Sequence, residues 1–358
     1  MRVINAMFGR KRGVIEQTFL NYCNALSDLG CELVVLTYQD APTHEEMPQN
    51  AILKTITNFG QWDPVASWKL KKIIRELEPD IIIAHGNRAS TLLSKSITDV
   101  PVVSVCYNYN AKALADYENV IAVTEDVRKT MIKKGLDENI IHTVPNLVNI
   151  SSTIQKKKLF AGEVPVIGTI GKFISKRGLK FFLRSLAILK NRGIAFKAIL
   201  AGDGPERESL IEMAASLNIS SMVEFPADIQ DRDQFFSSID IFCLPSLQEP
   251  FGVVVLEAFT HAVAVVTTDT EGPIEIVKPY IDSIVVDAGE DYPLADAFEK
   301  LIRNPQFAER IAEAGYNKVS DSYNVTTIAN KLHATLGHII NEHKVMKEAT
   351  KKEQVVLA

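Results

Sequence analysis

The sequence predicts an α/β protein made of two doubly wound parallel sheets in tandem. Short unbroken apolar runs alternate with amphipathic stretches, the rhythm halts over 149–165 and then restarts, and 358 residues at 46% hydrophobic content exceed what one core usually holds. A strand buried on both faces loses the polar alternation of a half-solvated sheet. Runs of Val and Ile separated by helical patterns therefore mark a parallel sheet covered by helices.

Along the first half the runs are RVINAMF, a helix over 14–29, CELVVLTY, a helix over 66–78, DIIIAH, a helix over 89–96, PVVSVCY, NVIAVT, a helix over 126–135 and IIHTVP. These form a first Rossmann-like domain, residues 1–150. The segment NISSTIQKKKLFAGEVP (149–165) gathers Ser and Lys, loses periodicity and ends on Pro165, which makes it the linker. PVIGTIG opens the second domain, 151–324. It continues with helices over 178–192, 205–217, 231–238, 251–261, 273–277 and 292–303, interleaved with FKAILAG, VEFPA, IDIFCLP, AVAVVTTD and SIVVDA. A last helical region covers 306–343, and its part from about 325 to 343 is expected to pack back on the first domain. Open parallel sheets take ligands beyond the carboxyl ends of their strands, so two such domains are expected to face each other across a cleft.

A net charge of −5 from 39 basic and 44 acidic residues provides no broad electropositive field, and no nucleic acid partner is expected. Cys23, Cys31, Cys106 and Cys243 have no short ligand spacing and read as reduced and buried. The opening MRVINAMFGRKRGV is apolar and then basic, the wrong order for export, so a cytoplasmic location is expected. The weakly charged span 251–268 contains Glu257 and His261 and turns β-branched in its second half. It reads as a buried helix followed by a buried strand rather than a membrane span.

Each domain opens with a strand, a glycine-containing turn and a helix. Gly9 and Gly13 flank Arg10, Lys11 and Arg12; Gly168 and Gly171 lead to Lys172, Lys176, Arg177 and Gly178. Neither is a dinucleotide fingerprint or a P-loop. Lys172 and Arg177 at a strand end before a helix suit a diphosphate, though strand ends are also commonly basic because they are solvated. In AGDGPE (201–206), Gly202 permits close approach of a ligand to backbone. QEPFGVVVLEAF (248–259) sets Glu249 and Glu257 on either side of an apolar stretch. With Pro250 as the first helical residue, the amides of Phe251, Gly252 and Val253 would be open to a ligand. Glu257 would then lie about 12 Å further along the helix. One carboxylate would meet a sugar and the other a ribose, while the plainer reading makes Glu249 a first-turn acid and Glu257 a solvated residue.

EPFGVVVLEA, with seven residues between its glutamates, resembles the E-x7-E signature of the retaining glycosyltransferases of family 4, the group 1 enzymes with the GT-B fold. IGTIGKFISKRGL, AGDGPERESL, DIFCLPSLQEPFG and VVTTDTEGPIEIV resemble further motifs of that family. EPDIIIAHGNRAS, PVVSVCYNYN, NVIAVTEDVRKTM and VPNLVN resemble its weaker N-terminal landmarks.

The resemblance implies a nucleotide diphosphate sugar on the second domain, with its ribose on Glu257, its diphosphate on Lys172, Arg177 and helix amides, and its hexose near Glu249. It implies transfer with retention and no metal or other cofactor, because the cations meet the leaving charge. It places His85 toward the sugar from the acceptor side, and the pH profile is expected to show at most one histidine-like limb, attributable to His85. Gly13 would lie near the donor phosphates, and Tyr107 and Asn108 at the acceptor end of the PVVSVCY strand.

Four departures stand out. The family's Arg is Lys172 and its Lys is Arg177; Val14 replaces a second glycine after Gly13; Tyr107 stands where many relatives have His, as a neutral hydrogen-bond donor; and Ala262 and Leu147 replace glycines. The acceptor is expected to be a saccharide or a lipid-linked saccharide of cell-envelope polysaccharide or lipopolysaccharide synthesis, met at the inner face of the cytoplasmic membrane. Residues 10–12 with Lys69, Lys71, Lys72 and Arg75 would supply the peripheral membrane contact. Two other readings stay open: an enzyme that hydrolyses or epimerises sugar nucleotides, disfavoured by the E-P-F-G stretch, and a sugar-nucleotide-binding protein with lost or altered catalysis.

Overall fold

The computed structural model describes residues 1–356 apart from 11–12, 59, 61, 95, 97–98, 110–117, 149–157, 162–163 and 228–230. It divides into two compact units, Met1–Asn149 with Val325–Ala358, and Ile150–Asn324.

The first unit runs β1 (Arg2–Met7), α1 (Val14–Asp28), β2 (Glu32–Tyr38), β3 (Ile52–Ile56), α2 (Pro64–Leu77), β4 (Ile81–His85), α3 (Gly86–Ser94), β5 (Val102–Cys106), β6 (Asn119–Ala122), α4 (Glu125–Lys133) and β7 (Ile141–Thr143). Its seven strands are all parallel, in the order β3-β2-β1-β4-β5-β6-β7. The order reverses direction between β1 and β4, so the crevice beyond their carboxyl ends is the unit's ligand position. Strand β3 is absent from the sequence reading. Four of its five residues are exposed, and as an edge strand it lacks the apolar run that marks the inner strands.

The second unit runs β8 (Val166–Ile170), α5 (Leu179–Asn191), β9 (Lys197–Ala201), α6 (Arg207–Ser216), β10 (Val223–Glu224), α7 (Arg232–Ser238), β11 (Ile241–Leu244), α8 (Val253–Thr260), β12 (Ala264–Thr268), α9 (Glu271–Ile276), β13 (Ile284–Val286), α10 (Asp291–Arg303) and α11 (Pro305–Ser322). Six parallel strands lie in the order β10-β9-β8-β11-β12-β13, with the reversal between β8 and β11. Phe182 and Leu186 of α5 and Phe298 of α10 pack into its core, the two rings edge to face at 6.0 Å.

The last helical region is two helices. α11 ends at Ser322, and α12 (Val325–Val356) returns to the first unit, where it lies against α1. Ile328, Leu332, Leu336 and Ile339 are buried at most 3% exposed, the periodic face that ties α12 down. All four cysteines are buried and free, and burial raises the thiols of Cys23 and Cys106 to about 12 and about 11.

Candidate active site

Both connections that meet at the switch point of the second sheet carry the expected charged residues. After β8 the chain makes a 3-10 turn over Ser175–Arg177; after β11 it loops through Ser246 to Gly252. The Leu247 amide donates to the Lys176 carbonyl at 2.8 Å, which joins the two loops through their backbones. That splice brings Arg177 to Glu249, and Arg177 Nη1 donates to Glu249 Oε2 in an ion pair. Glu249 is 7% exposed, and burial lowers the pKa of Arg177 from its usual value. Arg177 Nε is itself buried with no hydrogen-bond partner among the described residues. A buried guanidinium N–H without an acceptor is costly, and an anionic oxygen placed there would satisfy it. Lys172 stands exposed on the same connection. The buried hydroxyl of Ser246 also lacks a partner among the described residues, a group the sequence did not single out.

The start of α8 differs from the expectation. Gly252, at φ +90°, is the residue before the helix, and the helix begins at Val253 rather than at Pro250. Left-handed backbone at that point suits glycine and ends the loop three residues later than a proline start would. The amides without an intrahelical acceptor are thus those of Gly252, Val253 and Val254, with Val255 N donating to Gly252 O at 2.9 Å. Phe251 is 5% exposed and packs rather than presenting its amide from a helix. Glu249 belongs to the loop, not to the helix that carries Glu257. Its backbone carbonyl accepts from Gly272 N at 3.0 Å, which fixes the loop against the start of α9.

Glu257, half-buried on α8, is held by Arg232 of α7. Nε donates to Oε1 at 2.9 Å, and Nη2 to Oε2. Arg232 has no signal in the sequence, because its partner lies 25 positions away and on another helix. The fork leaves each carboxylate oxygen a further lone pair for a hydroxyl. Gly202 has φ +133°, and a Cβ built there would sit 1.9 Å from the Gly171 carbonyl oxygen. The space its missing side chain leaves is therefore taken by the β8 connection, not by a ligand's approach. Arg207 supports the same turn by donating to the carbonyls of Gly202 at 2.9 Å and Phe225 at 2.6 Å.

In the first unit three polar side chains step diagonally across β1, β4 and the end of β5. Asn5 pairs in register with Ile83, and His85 with Val105, so Asn5, His85 and Tyr107 share one face, each two residues ahead of the last. His85 Nε2 lies 2.8 Å from Asn5 Oδ1, and His85 Nδ1 lies 2.5 Å from the Tyr107 hydroxyl. Asn5 Nδ2 donates to the Phe19 carbonyl at 3.4 Å and to Cys23 Sγ at 3.2 Å, which orients its amide. The oxygen of Asn5 can only accept, so the imidazole proton sits on Nε2. Nδ1 then accepts from Tyr107.

Burial against Phe19 and Tyr22 keeps the ring neutral, its pKa pushed down to about 3. Two expectations change. At 1% exposed, with both nitrogens engaged, His85 presents no surface to a sugar and supplies no limb near neutral pH. Tyr107 spends its one proton on His85, so its oxygen can enter a further hydrogen bond only as an acceptor. Beside it opens a cavity of about 190 Å³, lined among others by Asn87, Ser104, Tyr107 and Asn108. Asn5 carried a signal that the sequence reading passed over: a lone amide inside a buried apolar strand has to be hydrogen-bonded.

Gly13 precedes α1 in extended backbone, at φ −167°, so its conformation does not require glycine. Among the described residues no group of three or more His, Cys, Asp or Glu gathers as a metal set. No described helix is long and apolar enough to cross a membrane.

Two sheets that each reverse at a charged or polar crevice define the GT-B class of glycosyltransferase folds. The chain matches the model for "Glycosyl transferases group 1" over residues 151–318 and that for "Glycosyltransferase Family 4" over 15–152. It belongs to this family of glycosyltransferases. A lipopolysaccharide core biosynthesis glycosyltransferase, LpsE of Rhizobium meliloti (strain 1021), is 24% identical over 340 residues, 92% of this chain and 97% of that protein. The crystal structure of Anabaena Alr3699/HepE in complex with UDP matches with a TM-score of 0.80 at 20% identity, covering 94% of this chain and 100% of that one. The same protein in complex with UDP-glucose also has a TM-score of 0.80.

Proposed function

We propose that this glycosyltransferase moves a hexose, with retention, from a nucleotide diphosphate sugar to a hydroxyl of a saccharide or lipid-linked saccharide in cell-envelope polysaccharide or lipopolysaccharide synthesis. The observation that carries the donor half is the Arg177–Glu249 pair, with Arg177 Nε buried and unpartnered at the switch point of the second sheet. The leaving diphosphate would take that N–H and Lys172, with the amides at the start of α8 beside them. Cations and amides set before reaction stabilise the charge that grows as the bond from the anomeric carbon to the phosphate oxygen breaks. Glu257, oriented by Arg232, would accept from the ribose hydroxyls.

In the first unit the Tyr107 oxygen would accept from a second hydroxyl of the acceptor, beside the one that attacks. The acceptor oxygen attacks the anomeric carbon on the face the diphosphate leaves, and its proton passes to the departing phosphate oxygen. No protein base is then required, which agrees with a neutral, enclosed His85. The bound UDP and UDP-glucose of the Anabaena relative make uridine sugars the first donors to try.

Thermal-shift screening of nucleotide diphosphate sugars identifies the donor without an acceptor in hand. NMR of the product then reads the anomeric configuration. An inverted product would overturn retention, and nucleotide binding without transfer to any acceptor would favour a binding protein.

A further inference from the structure

Both tryptophans of the chain lie at the start of α2 in the first unit, largely exposed. Trp62 lies just before α2 and Trp68 within it; they are 66% and 65% exposed, and Val65 between them is 60% exposed. The helix spends its other side on the core, burying Ala66, Leu70 and Ile74. At roughly 100° per residue, Val65, Trp68, Lys69, Lys72 and Arg75 fall within about 120° of one another, opposite that buried face. Lys69, Lys72 and Arg75 are exposed, and the acid among them, Glu76, lies 3.8 Å from Lys72. The outward face is therefore cationic on a chain whose net charge is −5. Asp63 accepts from the amides of Val65 and Ala66 at 2.9 and 3.0 Å, so the apolar end of the helix is capped and held.

Indole rings at the tip and cations along the rest of one face match the two layers of a bilayer surface, with interfacial aromatics and anionic headgroups. We propose that Trp62 and the outward face of α2 form the docking surface of this protein on an anionic lipid membrane. A second copy fits the face poorly, since a two-fold contact would set Lys69, Lys72 and Arg75 against their own counterparts. Helix α2 packs on α3, which opens immediately after His85 and whose Asn87 and Ser90 line the cavity beside Tyr107. A lipid-borne acceptor would thus be delivered close to that cavity, although the docking surface itself does not depend on the donor reading.

The experiment needs no donor or acceptor. The two tryptophans are the chain's full complement, so its indole fluorescence reports on the start of α2. Vesicles of phosphatidylcholine with phosphatidylglycerol should float the full chain at low salt and shift its emission to the blue. Vesicles of phosphatidylcholine alone should do neither, and release should follow as salt rises past about 0.5 M. Lys69→Gln with Lys72→Gln should weaken partitioning roughly 30-fold. Trp68→Ser should weaken it while leaving the salt dependence, and thermal melts should show both variants folded. No flotation on anionic vesicles, flotation without an emission shift, or a shift that needs only higher protein concentration and no lipid would overturn the proposal; the last would assign the face to a second copy.

Discussion

Arg177 and Glu249 hold each other, and that pairing changes what a substitution at either one measures. Arg177→Ala is expected to lower turnover by about 100-fold or more. It also strands a buried carboxylate, at a cost of roughly 2–4 kcal/mol in stability. Adding Glu249→Gln should restore much of the stability and none of the turnover, which denaturant unfolding and initial rates on the same preparations separate. Lys172→Ala, exposed, should lose turnover by a similar factor with stability unchanged. Near wild-type turnover at saturating donor in both single variants would place the diphosphate elsewhere. Glu257→Gln should raise the donor KM more than it lowers kcat, because a ribose contact is made equally before and during reaction.

In the first unit the residue to watch is His85. Its pKa is depressed in the fold, so the unfolded chain binds the extra proton first. Its contribution to stability is whole above the unfolded value of about 6.5 and is lost as pH falls from there toward about 3, at no more than about 1.4 kcal/mol per pH unit. ¹⁵N NMR should find the His85 ring neutral with its proton on Nε2 at pH 5. A protonated ring, or a proton on Nδ1, would contradict the Asn5–His85–Tyr107 chain. Tyr107→Phe should cut transfer roughly 10-fold with nucleotide affinity unchanged.

Among the elements, those bounded by residue chemistry were legible and those bounded by contacts were not. The apolar runs of β1, β4, β5, β8 and β11 stood out because both faces of each strand are covered. Strand β3 did not, because an exposed edge strand needs only its neighbour's backbone. The start of α8 was misread for a related reason: proline suits a first helical turn, but the loop before it is tied to Lys176 and Gly272, and the chain can enter the helix only through left-handed Gly252. The turn at Gly202 offers a test at this scale. Gly193 also has positive φ, with nothing within 4 Å of a built Cβ, whereas at Gly202 that atom would meet backbone. Gly193→Ala should cost about 1 kcal/mol for the backbone alone. Gly202→Ala should cost clearly more in thermal unfolding, and equal effects would mean that the two loops part easily.

At the scale of the whole molecule, α12 makes the first unit depend on the far end of the chain. Leu332→Ala and Leu336→Ala, each emptying a fully buried site, should destabilise by about 2–4 kcal/mol. Hydrogen exchange should locate the loss in residues 1–148 and α12, with α5 and α10 of the second unit as protected as before. Loss of protection in both units alike would make them one cooperative structure.

The sequence by itself determined the parallel α/β class, the two halves and the motifs that ally the chain with its family, because burial on both faces, glycine turns and the spacing of charged residues are local and periodic. It also marked Lys172, Arg177, Glu249 and Glu257 by residue type and place. Only the tertiary structure decided whom they touch. The pairings of Arg177 with Glu249 and Arg232 with Glu257, and the proton order along Asn5, His85 and Tyr107, join residues 72, 25, 80 and 22 positions apart. A hydrogen bond is a matter of distance and direction, and neither is written in the linear order of residues. The two tryptophans show the same division, since their presence is sequence and their exposure is fold.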